Sequence, residues 1–289
     1  MATTVCPANA VPDRRPVFFF DIDNCVCISD YDSIVDLLDW GFISSKTDLL
    51  IFGVRSSILE VRTPADSSDS TTTDKTCADC NIHDEMQKLI NQFFVKHLSL
   101  SSENAHMLHQ KYYKEYGLAL EGLTRHHTIN PLRFNCEVDD ALPLDKILKP
   151  APELRKFLED IDTSKVKPWL LTNAYITHAR RVVKLLGVDD LFEGITYCDY
   201  AHPPLVCKPS QDMYEKAEIE AQALSTEECY FVDDSYLNCK HAAERGWTTV
   251  HLVEPMLPVP PVPASQYMIR SLEELRKLFP QLFKSTAAK

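Results

Sequence analysis

Short uninterrupted apolar runs alternate along much of this chain with segments whose apolar positions recur every three or four residues. Val17–Phe20 is such a run, typical of a strand that is buried on both faces. Ile176–Leu186 instead has helical spacing and ends at Gly187, a residue suited to a left-handed C-cap. This alternation of strands and helices predicts a parallel sheet with helices on both faces.

The remaining elements of this α/β region follow from the same two patterns. Strands are predicted at Val17–Asp21, Val166–Leu171, Ile195–Cys198, Tyr230–Val232 and Thr248–Val253. Besides Ile176–Leu186, helices are predicted at Leu154–Ile161, Gln211–Gln222, Leu237–Arg245 and Ser271–Leu278. The proline-rich stretch Pro255–Pro263 is predicted to be extended.

A second region has helical spacing throughout and no strand pattern. Its first helix begins near Ile82, and the apolar face of that helix consists of Ile82, Met86, Leu89, Ile90 and Phe93. Further helices are predicted at Ser102–Tyr116, Ala119–His127 and Pro131–Asp139. We therefore predict an all-helical unit at residues 81–145, inserted into the α/β region.

Composition and charge limit the partners of the protein. The chain has 289 residues and a net charge of −12, which disfavours binding to a nucleic-acid polymer or an anionic membrane. No apolar stretch approaches the roughly 20 residues that a membrane span needs. We expect a soluble cytoplasmic protein, with a nuclear location left open and the oligomeric state undetermined. Free thiols are expected at Cys198, Cys207, Cys229 and Cys239.

Polar and charged side chains follow the predicted strands at their carboxyl ends. In chain order they are Asp21 with Asp23, Thr172 with Asn173, Lys208 in a loop before a helix, and Asp233 with Asp234. Open parallel sheets place their ligands at this edge, so these side chains are expected to meet there. Carboxylates bind hard cations and one of them can attack phosphorus, while a lysine can neutralise phosphate charge. Each feature alone also fits helix capping or solvation; the ordered set is far more specific.

Four motifs in this order resemble those of the haloacid dehalogenase (HAD) superfamily of phosphohydrolases. They are DIDNC at Asp21–Cys25, LLTN at Leu170–Asn173, CKPS at Cys207–Ser210 and FVDDS at Phe231–Ser235. Three further stretches are similar to fungal pyrimidine 5'-nucleotidases, namely Tyr112–Leu118, Val138–Leu144 and Leu148–Pro150. The resemblance implies an α/β fold with a Rossmann-like three-layer core, a parallel sheet and an inserted all-helical cap domain.

The resemblance also sets the expected domains. They are a disordered tail at residues 1–15, the core at 16–25 and 146–289, and the cap at 81–145. Residues 26–80 are an atypical insertion, expected to be poorly ordered because the tract Ala65–Lys75 is rich in Ser, Thr and Asp. Two explanations stay open: a genuine cap insertion, or a translated intron, since codons for Val26 and Cys27 can spell the fungal splice-donor sequence GTATGT.

Catalytic roles are carried over from the resemblance. Asp21 is the expected nucleophile, which forms an aspartyl-phosphate, and Asp23 is the expected general acid and base. Lys208 is expected to offset the negative charge of the carboxylates and the phosphate. The implied cofactor is Mg²⁺, with Asp21, Asp23 (through its backbone carbonyl), Asp233 and Asp234 as the expected ligands.

Substrate contacts are expected from the strand ends and from the cap. Those at the strand ends are Thr172, Asn173, Tyr175 and the backbone N–H of Cys25. Candidates for contacts with a base or ribose also include Tyr113, Arg125 and Asn135, each of which has a structural role as the alternative. The expected partner is therefore a small phosphomonoester.

The expected function is Mg²⁺-dependent hydrolysis of nucleoside 5'-monophosphates such as UMP and CMP. An acid at Asp23 favours a phosphatase over a dehalogenase, which needs no acid at that position. One alternative is a phosphatase for another small phosphomonoester, such as lysophosphatidate or a sugar phosphate. Another is a HAD-fold binding protein that has lost turnover, against which the intact set of Asp21, Asp23, Lys208 and Asp234 argues.

Overall fold

The computed structural model describes residues 13–22, 82–254 and 257–285. Their strands are β1 (Val17–Phe20), β2 (Lys167–Thr172), β3 (Gly194–Tyr197), β4 (Cys229–Asp233), β5 (Thr248–Leu252) and β6 (Tyr267–Ile269). They form a six-stranded sheet in the order β3-β2-β1-β4-β5-β6, and every pair is parallel. The predicted α/β class with a parallel sheet is therefore confirmed.

The helices are numbered along the chain. They are α1 (Ile82–Leu98), α2 (Ser102–Tyr116), α3 (Ala119–His126), α4 (Pro131–Phe134), α5 (Leu144–Ile147), α6 (Pro152–Glu159), α7 (Ile176–Leu186), α8 (Gln211–Ala221), α9 (Tyr236–Glu244) and α10 (Leu275–Leu278). A π-helical turn, Asn135–Asp139, continues α4. Short 3-10 helices lie at Thr226–Glu228, Leu272–Glu274 and Pro280–Leu282. None of these helices combines the length and apolar character that a membrane crossing requires.

The central strand β1 explains the three-layer packing. All four of its side chains are fully buried, and alternate residues enter different clusters. Phe18 and Phe20 pack with α6 and α7, whereas Phe19 packs on the opposite face with α8 and Trp247. Because successive strand side chains point to opposite faces, an unbroken apolar run is what a strand between two helical layers requires.

The strand register brings the polar chain segments to one level. Phe20 pairs with Leu170 of β2 on one side and with Val232 of β4 on the other. The backbone N–H of Asp21 donates to the carbonyl of Val232 at 3.1 Å, which extends the ladder by one step beyond β1. Asp21 therefore emerges beside the carboxyl ends of both neighbouring strands.

The helices α1 to α4 share an apolar cluster with a core loop. Phe93, Phe94, Leu120 and Phe134 from these helices pack with residues of the segment between β3 and α8, which are Cys198, Tyr200, Leu205 and Cys207. The helical unit approaches the core closely at Gly117, where φ is +74° and an added Cβ would lie 2.8 Å from the carbonyl oxygen of Lys208. The helical unit therefore rests directly on the Lys208 loop.

Some elements differ from the predicted ones. The strand β6 lies outside the predicted set, because three residues with two exposed apolar side chains carry no readable period. The predicted helix Ser271–Leu278 begins at its Ser271 cap but divides into a 3-10 turn and α10. Cys198, Cys207, Cys229 and Cys239 are buried free thiols. The predicted tail, the insertion at 26–80, Asp23 and Cys25 lie largely or wholly outside the described residues; the domain boundaries stay a prediction.

Candidate active site

A buried lysine joins two strand-end carboxylates. Lys208, which is 1% exposed, donates from Nζ to Asp21 Oδ1 at 2.6 Å and to Asp233 Oδ2 at 2.6 Å. A third bond, to the carbonyl of Leu171 at 2.9 Å, uses the remaining proton of the ammonium. Burial opposes the charge, but the two carboxylates prevail and raise the pKa of Lys208 well above its ordinary value of 10.5. Lys208 is therefore a fixed cation between β1, β2 and β4.

Asp233 is held from several directions. It is completely buried, and its Oδ1 accepts the backbone N–H of Ser235 at 2.7 Å. The amide of Asn238, on the first turn of α9, donates to both oxygens of Asp233 at 3.1 Å. With Lys208 as a further donor, the orientation of this carboxylate is fixed. Charge-assisted bonds of this kind are stronger than neutral ones.

Three carboxylates converge at the same edge of the sheet. Oxygen atoms of Asp21, Asp233 and Asp234 all lie within 4.8 Å of one another. The donor set is purely oxygen and carries three negative charges against the one charge of Lys208. Such a set fits a hard divalent cation such as Mg²⁺. Nearby, the Oδ1 atom of Asn238 is buried with no hydrogen-bond partner among the described residues, so the site also offers a neutral acceptor.

Asn173 holds the Lys208 loop in place. Its Nδ2 donates to the carbonyl of Lys208 at 2.9 Å, and its Oδ1 accepts the backbone N–H of Lys208 at 2.7 Å. These two bonds orient the amide toward the loop, so we assign Asn173 a positioning role in addition to the predicted substrate contact. Thr172 is fully buried, and its hydroxyl oxygen accepts from the N–H of Ala174 at 3.0 Å. Its hydroxyl proton stays available as a donor.

The core edge opens into a cavity of about 240 Å³ whose opposite wall is helical. On the core side it is lined by Asp21, Asn173, Lys208, Asp234 and Asn238. On the helical side the polar lining residues are Gln87 of α1, His109, Gln110 and Tyr113 of α2, and Asp139. Tyr113 is 38% exposed as a whole residue, so its removal from water is partial. This partial desolvation, and then the charges of Asp234, Asp233 and Asp21, raise the pKa of Tyr113. Tyr113 therefore keeps its proton and offers a hydroxyl beside the carboxylates.

The structure unites some of the predicted site residues and separates others. Asp21, Lys208, Asp233 and Asp234 meet in one cluster, and Asn173 is bonded to it through Lys208. Tyr175 is not among the residues that line the cavity; its ring stacks on Tyr200, which does line it, at a centroid distance of 5.3 Å.

Among the cap candidates, only Tyr113 lines the cavity. Arg125 lies on the outer face of α3, where it pairs with Glu121 at 2.6 Å. Asn135 donates to Asp140 at 2.9 Å and is likewise absent from the lining. Gln87, His109 and Gln110 were not predicted, because an isolated polar residue on an amphipathic helix is usually on the solvent side. For His109 and Gln110, the helical spacing of four and three residues from Tyr113 on α2 was the available signal.

Sequence comparison identifies the family. A family model for haloacid dehalogenase-like hydrolases matches residues 16–244. The chain therefore belongs to the haloacid dehalogenase-like hydrolase family, and the predictions of a HAD fold and a HAD-type enzyme are confirmed.

Among curated proteins, the chain is similar to Phosphate metabolism protein 8 of Saccharomyces cerevisiae. The two are 38% identical over 178 residues, which is 58% of this chain and 56% of that protein. The matched part thus spans little more than half the length of the relative.

The fold is similar to that of solved structures at low identity. YfnB from Bacillus subtilis, crystallised bound to magnesium, is 15% identical with a TM-score of 0.49, and the match covers 92% of this chain and 99% of that one. The L-2-haloacid dehalogenase from Xanthobacter autotrophicus is 13% identical with a TM-score of 0.43, and the match covers 92% and 98%.

Proposed function

We propose that the protein is a Mg²⁺-dependent phosphomonoester hydrolase that acts on nucleoside 5'-monophosphates, with UMP and CMP as its substrates. The observation that carries the proposal is the buried cluster of Lys208 between Asp21 and Asp233, with Asp234 beside it. One lysine and a hard-cation site together offset a phosphate next to a carboxylate nucleophile. Similarity to a protein named for phosphate metabolism is consistent with this chemistry.

The first chemical step is displacement at phosphorus. An oxygen of Asp21 attacks the phosphorus atom, a new O–P bond forms to Asp21, and the bond from phosphorus to the 5' oxygen of the nucleoside breaks. Asp23 supplies the proton that the departing oxygen needs. Lys208 holds the Asp21 carboxylate by its 2.6 Å bond, so the nucleophile is oriented before the substrate arrives.

The second step regenerates the enzyme. Water attacks the phosphorus of the aspartyl-phosphate, Asp23 takes the proton of that water, and the O–P bond to Asp21 breaks to release phosphate. Asp21, Asp233, Asp234 and the backbone carbonyl of Asp23 would hold Mg²⁺. When bound, that ion supplies positive charge against the phosphate oxygens. The hydroxyl of Thr172 donates to a phosphate oxygen.

Phosphate release from a substrate panel tests the proposal. The panel contains UMP, CMP, a purine monophosphate, a sugar phosphate and lysophosphatidate, each with Mg²⁺ and with EDTA. We expect release to require Mg²⁺ and to be fastest with UMP and CMP. A Mg²⁺-dependent preference for lysophosphatidate or the sugar phosphate would show that the substrate is not a nucleotide. No phosphate release from any member of the panel would support a binding protein.

The acid and base role has its own test. Asp23→Asn keeps a side chain of similar size but cannot deliver or accept the proton. We expect it to abolish turnover while metal and phosphate binding, measured by calorimetry, stay mostly intact. Unchanged turnover in Asp23→Asn would remove Asp23 from the mechanism.

A further inference from the structure

The helical wall of the cavity carries a group of uncharged hydrogen-bonding side chains. His109 and Gln110 are neighbours on α2, and Gln87 lies on α1. In the part of the chain that the structure describes, none of the three side chains makes a hydrogen bond. His109 is buried, whereas Gln87 and Gln110 are partly exposed. Because a buried polar group in a protein is nearly always paired, His109, with the two glutamine amides beside it on the same cavity, indicates a ligand that pairs with these side chains.

His109 is the most enclosed of the three. It is 8% exposed and lies against Phe94, with ring centroids 5.9 Å apart. Burial, and secondarily the charge of His106, lowers the pKa of His109 to about 4. The imidazole is therefore neutral near pH 7, with one ring nitrogen as a donor and the other as an acceptor. The side-chain amide of each glutamine likewise offers a hydrogen-bond donor and a hydrogen-bond acceptor.

The charge of the cavity restricts the ligand further. Among the described lining residues, Lys208 is the only lysine and no arginine occurs. The same lining includes the carboxylates of Asp21, Asp139 and Asp234. A second phosphate group would meet negative charge without a protein cation of its own. The volume of about 240 Å³ lies below the range of roughly 300–1,000 Å³ typical of sites for drug-sized ligands, so the leaving group is small.

We propose that His109, Gln110 and Gln87 form a leaving-group subsite that selects a neutral, planar group with adjacent donors and acceptors, joined to a single phosphate. The Watson–Crick edge of a pyrimidine base has this chemistry. The inference rests on the proposed function and deepens it, because it assigns the recognition of the base to specific side chains. An acyl chain offers no hydrogen bonds to these groups and would leave them unpaired.

Paired substrates separate base recognition from phosphate chemistry. The experiment measures kcat/KM for UMP and for methyl phosphate, whose leaving group is too small to reach the subsite, in wild type, His109→Leu, Gln110→Leu and His109→Gln. We expect His109→Leu and Gln110→Leu each to lower kcat/KM for UMP by about tenfold or more, mainly through KM, and to change that for methyl phosphate less than twofold. His109→Gln, which keeps a neutral donor and acceptor, should recover most of the UMP activity. His106→Leu, on the same helix but outside the cavity, is the matched control.

Several outcomes would overturn the subsite. An equal loss on both substrates would mean a structural role, and unchanged UMP kinetics in both leucine variants would mean no contact with the base. UDP should be hydrolysed at least about a hundredfold less efficiently than UMP, since its second phosphate lacks a cation; comparable rates would contradict the selection of one phosphate.

A binding measurement keeps the test independent of turnover. Calorimetry with Mg²⁺ compares UMP and methyl phosphate in Asp21→Asn protein with and without His109→Leu. The subsite predicts about tenfold weaker UMP binding and unchanged methyl phosphate binding in the double variant. An equal Kd for UMP in both proteins would reject the subsite even if hydrolysis were intact. Failure of the proposed function would instead appear as wild-type protein that binds UMP but releases no phosphate from any substrate.

Discussion

The two walls of the cavity are built in opposite ways. On the core wall, Lys208 makes three hydrogen bonds and Asp233 accepts from Ser235, Asn238 and Lys208, so charges are fixed before any ligand binds. On the helical wall, Gln87, His109 and Gln110 are neutral and make no hydrogen bonds to described residues. The comparison teaches that the proposed reacting centre is preorganised, whereas the proposed contacts to the leaving group form only when a substrate binds.

The difference follows from what each wall must do. Transition-state charge is stabilised best by groups that need not reorganise, and the core wall presents fixed charged groups at the ends of β1, β2 and β4, as the proposed function requires. A leaving group differs between substrates, and helix side chains can change without disturbing the sheet. Both walls meet where Gly117 contacts the Lys208 loop.

The largest expected effect comes from Asp21 on the core wall. Asp21→Asn should lower kcat by at least about a thousandfold, because an amide is a far weaker nucleophile, while the fold is retained. Steady-state kinetics measure kcat, and circular dichroism shows whether the fold is retained. The matched control is Asp189→Asn, at an exposed position away from the cavity. Activity close to wild type in Asp21→Asn would place the nucleophile elsewhere.

Lys208 is expected to affect stability as well as rate. Lys208→Met leaves Asp21 and Asp233 buried without their cation, so the free energy of unfolding should fall by about 3–5 kcal/mol and turnover should be lost. Urea denaturation measures the first effect. The matched control is Lys167→Met: Lys167 is also buried, but its ammonium bonds the carbonyl of Ala221 at 2.7 Å, and its carboxylate neighbour, Asp13 at 3.8 Å, is partly exposed. Equal stability losses, or retained turnover in Lys208→Met, would contradict the assigned role.

Gly117 tests whether the two walls are coupled. Gly117→Ala and Gly187→Ala place alanine at nearly the same φ, +74° and +71°, so each should cost about 1–2 kcal/mol. Only at Gly117 would the new Cβ lie 2.6 Å from Pro209, whereas at Gly187 its nearest neighbour is 3.8 Å away. We therefore expect a further loss of about 1–3 kcal/mol and a reduced kcat for Gly117→Ala alone. Identical kcat in the two variants would mean that the Lys208 loop tolerates displacement of the helical wall.

The pH dependence of stability tests the neutral state of His109 and is expected to have the smallest effect. Burial lowers the pKa of His109 from 6.5 to about 4, so the unfolded chain binds a proton in this interval that the folded protein does not. The depressed pKa of His109 has no effect on the free energy of unfolding above pH 6.5. Below that pH it lowers the free energy of unfolding progressively as the pH falls toward 4. Thermal unfolding of His109→Gln should show a shallower acid-side decline than wild type. Parallel curves would show that His109 is not held neutral.

The residues of the core wall could be predicted from the sequence because their meeting depends only on the topology of the sheet. The carboxyl ends of parallel strands meet at one edge, so Asp21 and Asp233 could be expected together without any knowledge of side-chain geometry. The partners of Asn173 could not, since the contact with the backbone of Lys208 joins segments whose spacing depends on the loop path. The contact between Asn238 and Asp233 could not be expected either, since it depends on Ser235 capping α9 directly after β4.

The helical wall was less accessible for a different reason. A polar residue on an amphipathic helix has the same pattern whether it faces solvent or a cavity, so the pattern alone did not distinguish His109 and Gln110, and only their spacing from Tyr113 could have indicated them. Arg125, by contrast, is a predicted candidate for contacts with a base or ribose, and the structure places it on an outer face with Glu121. Short edge elements such as β6 also escape pattern analysis, because three residues are too few to define a period.

The central claim is that Asp21 becomes covalently phosphorylated, and a single-turnover trap tests it most directly. Excess wild-type protein is mixed with UMP labelled at phosphorus in the presence of Mg²⁺, quenched in acid after a short time and analysed by peptide mass spectrometry, with Asp21→Asn alongside. The account predicts label on the peptide that contains Asp21 in wild type at short times, and none in Asp21→Asn. Phosphate released at the full wild-type rate with no label on Asp21 at any time would contradict it.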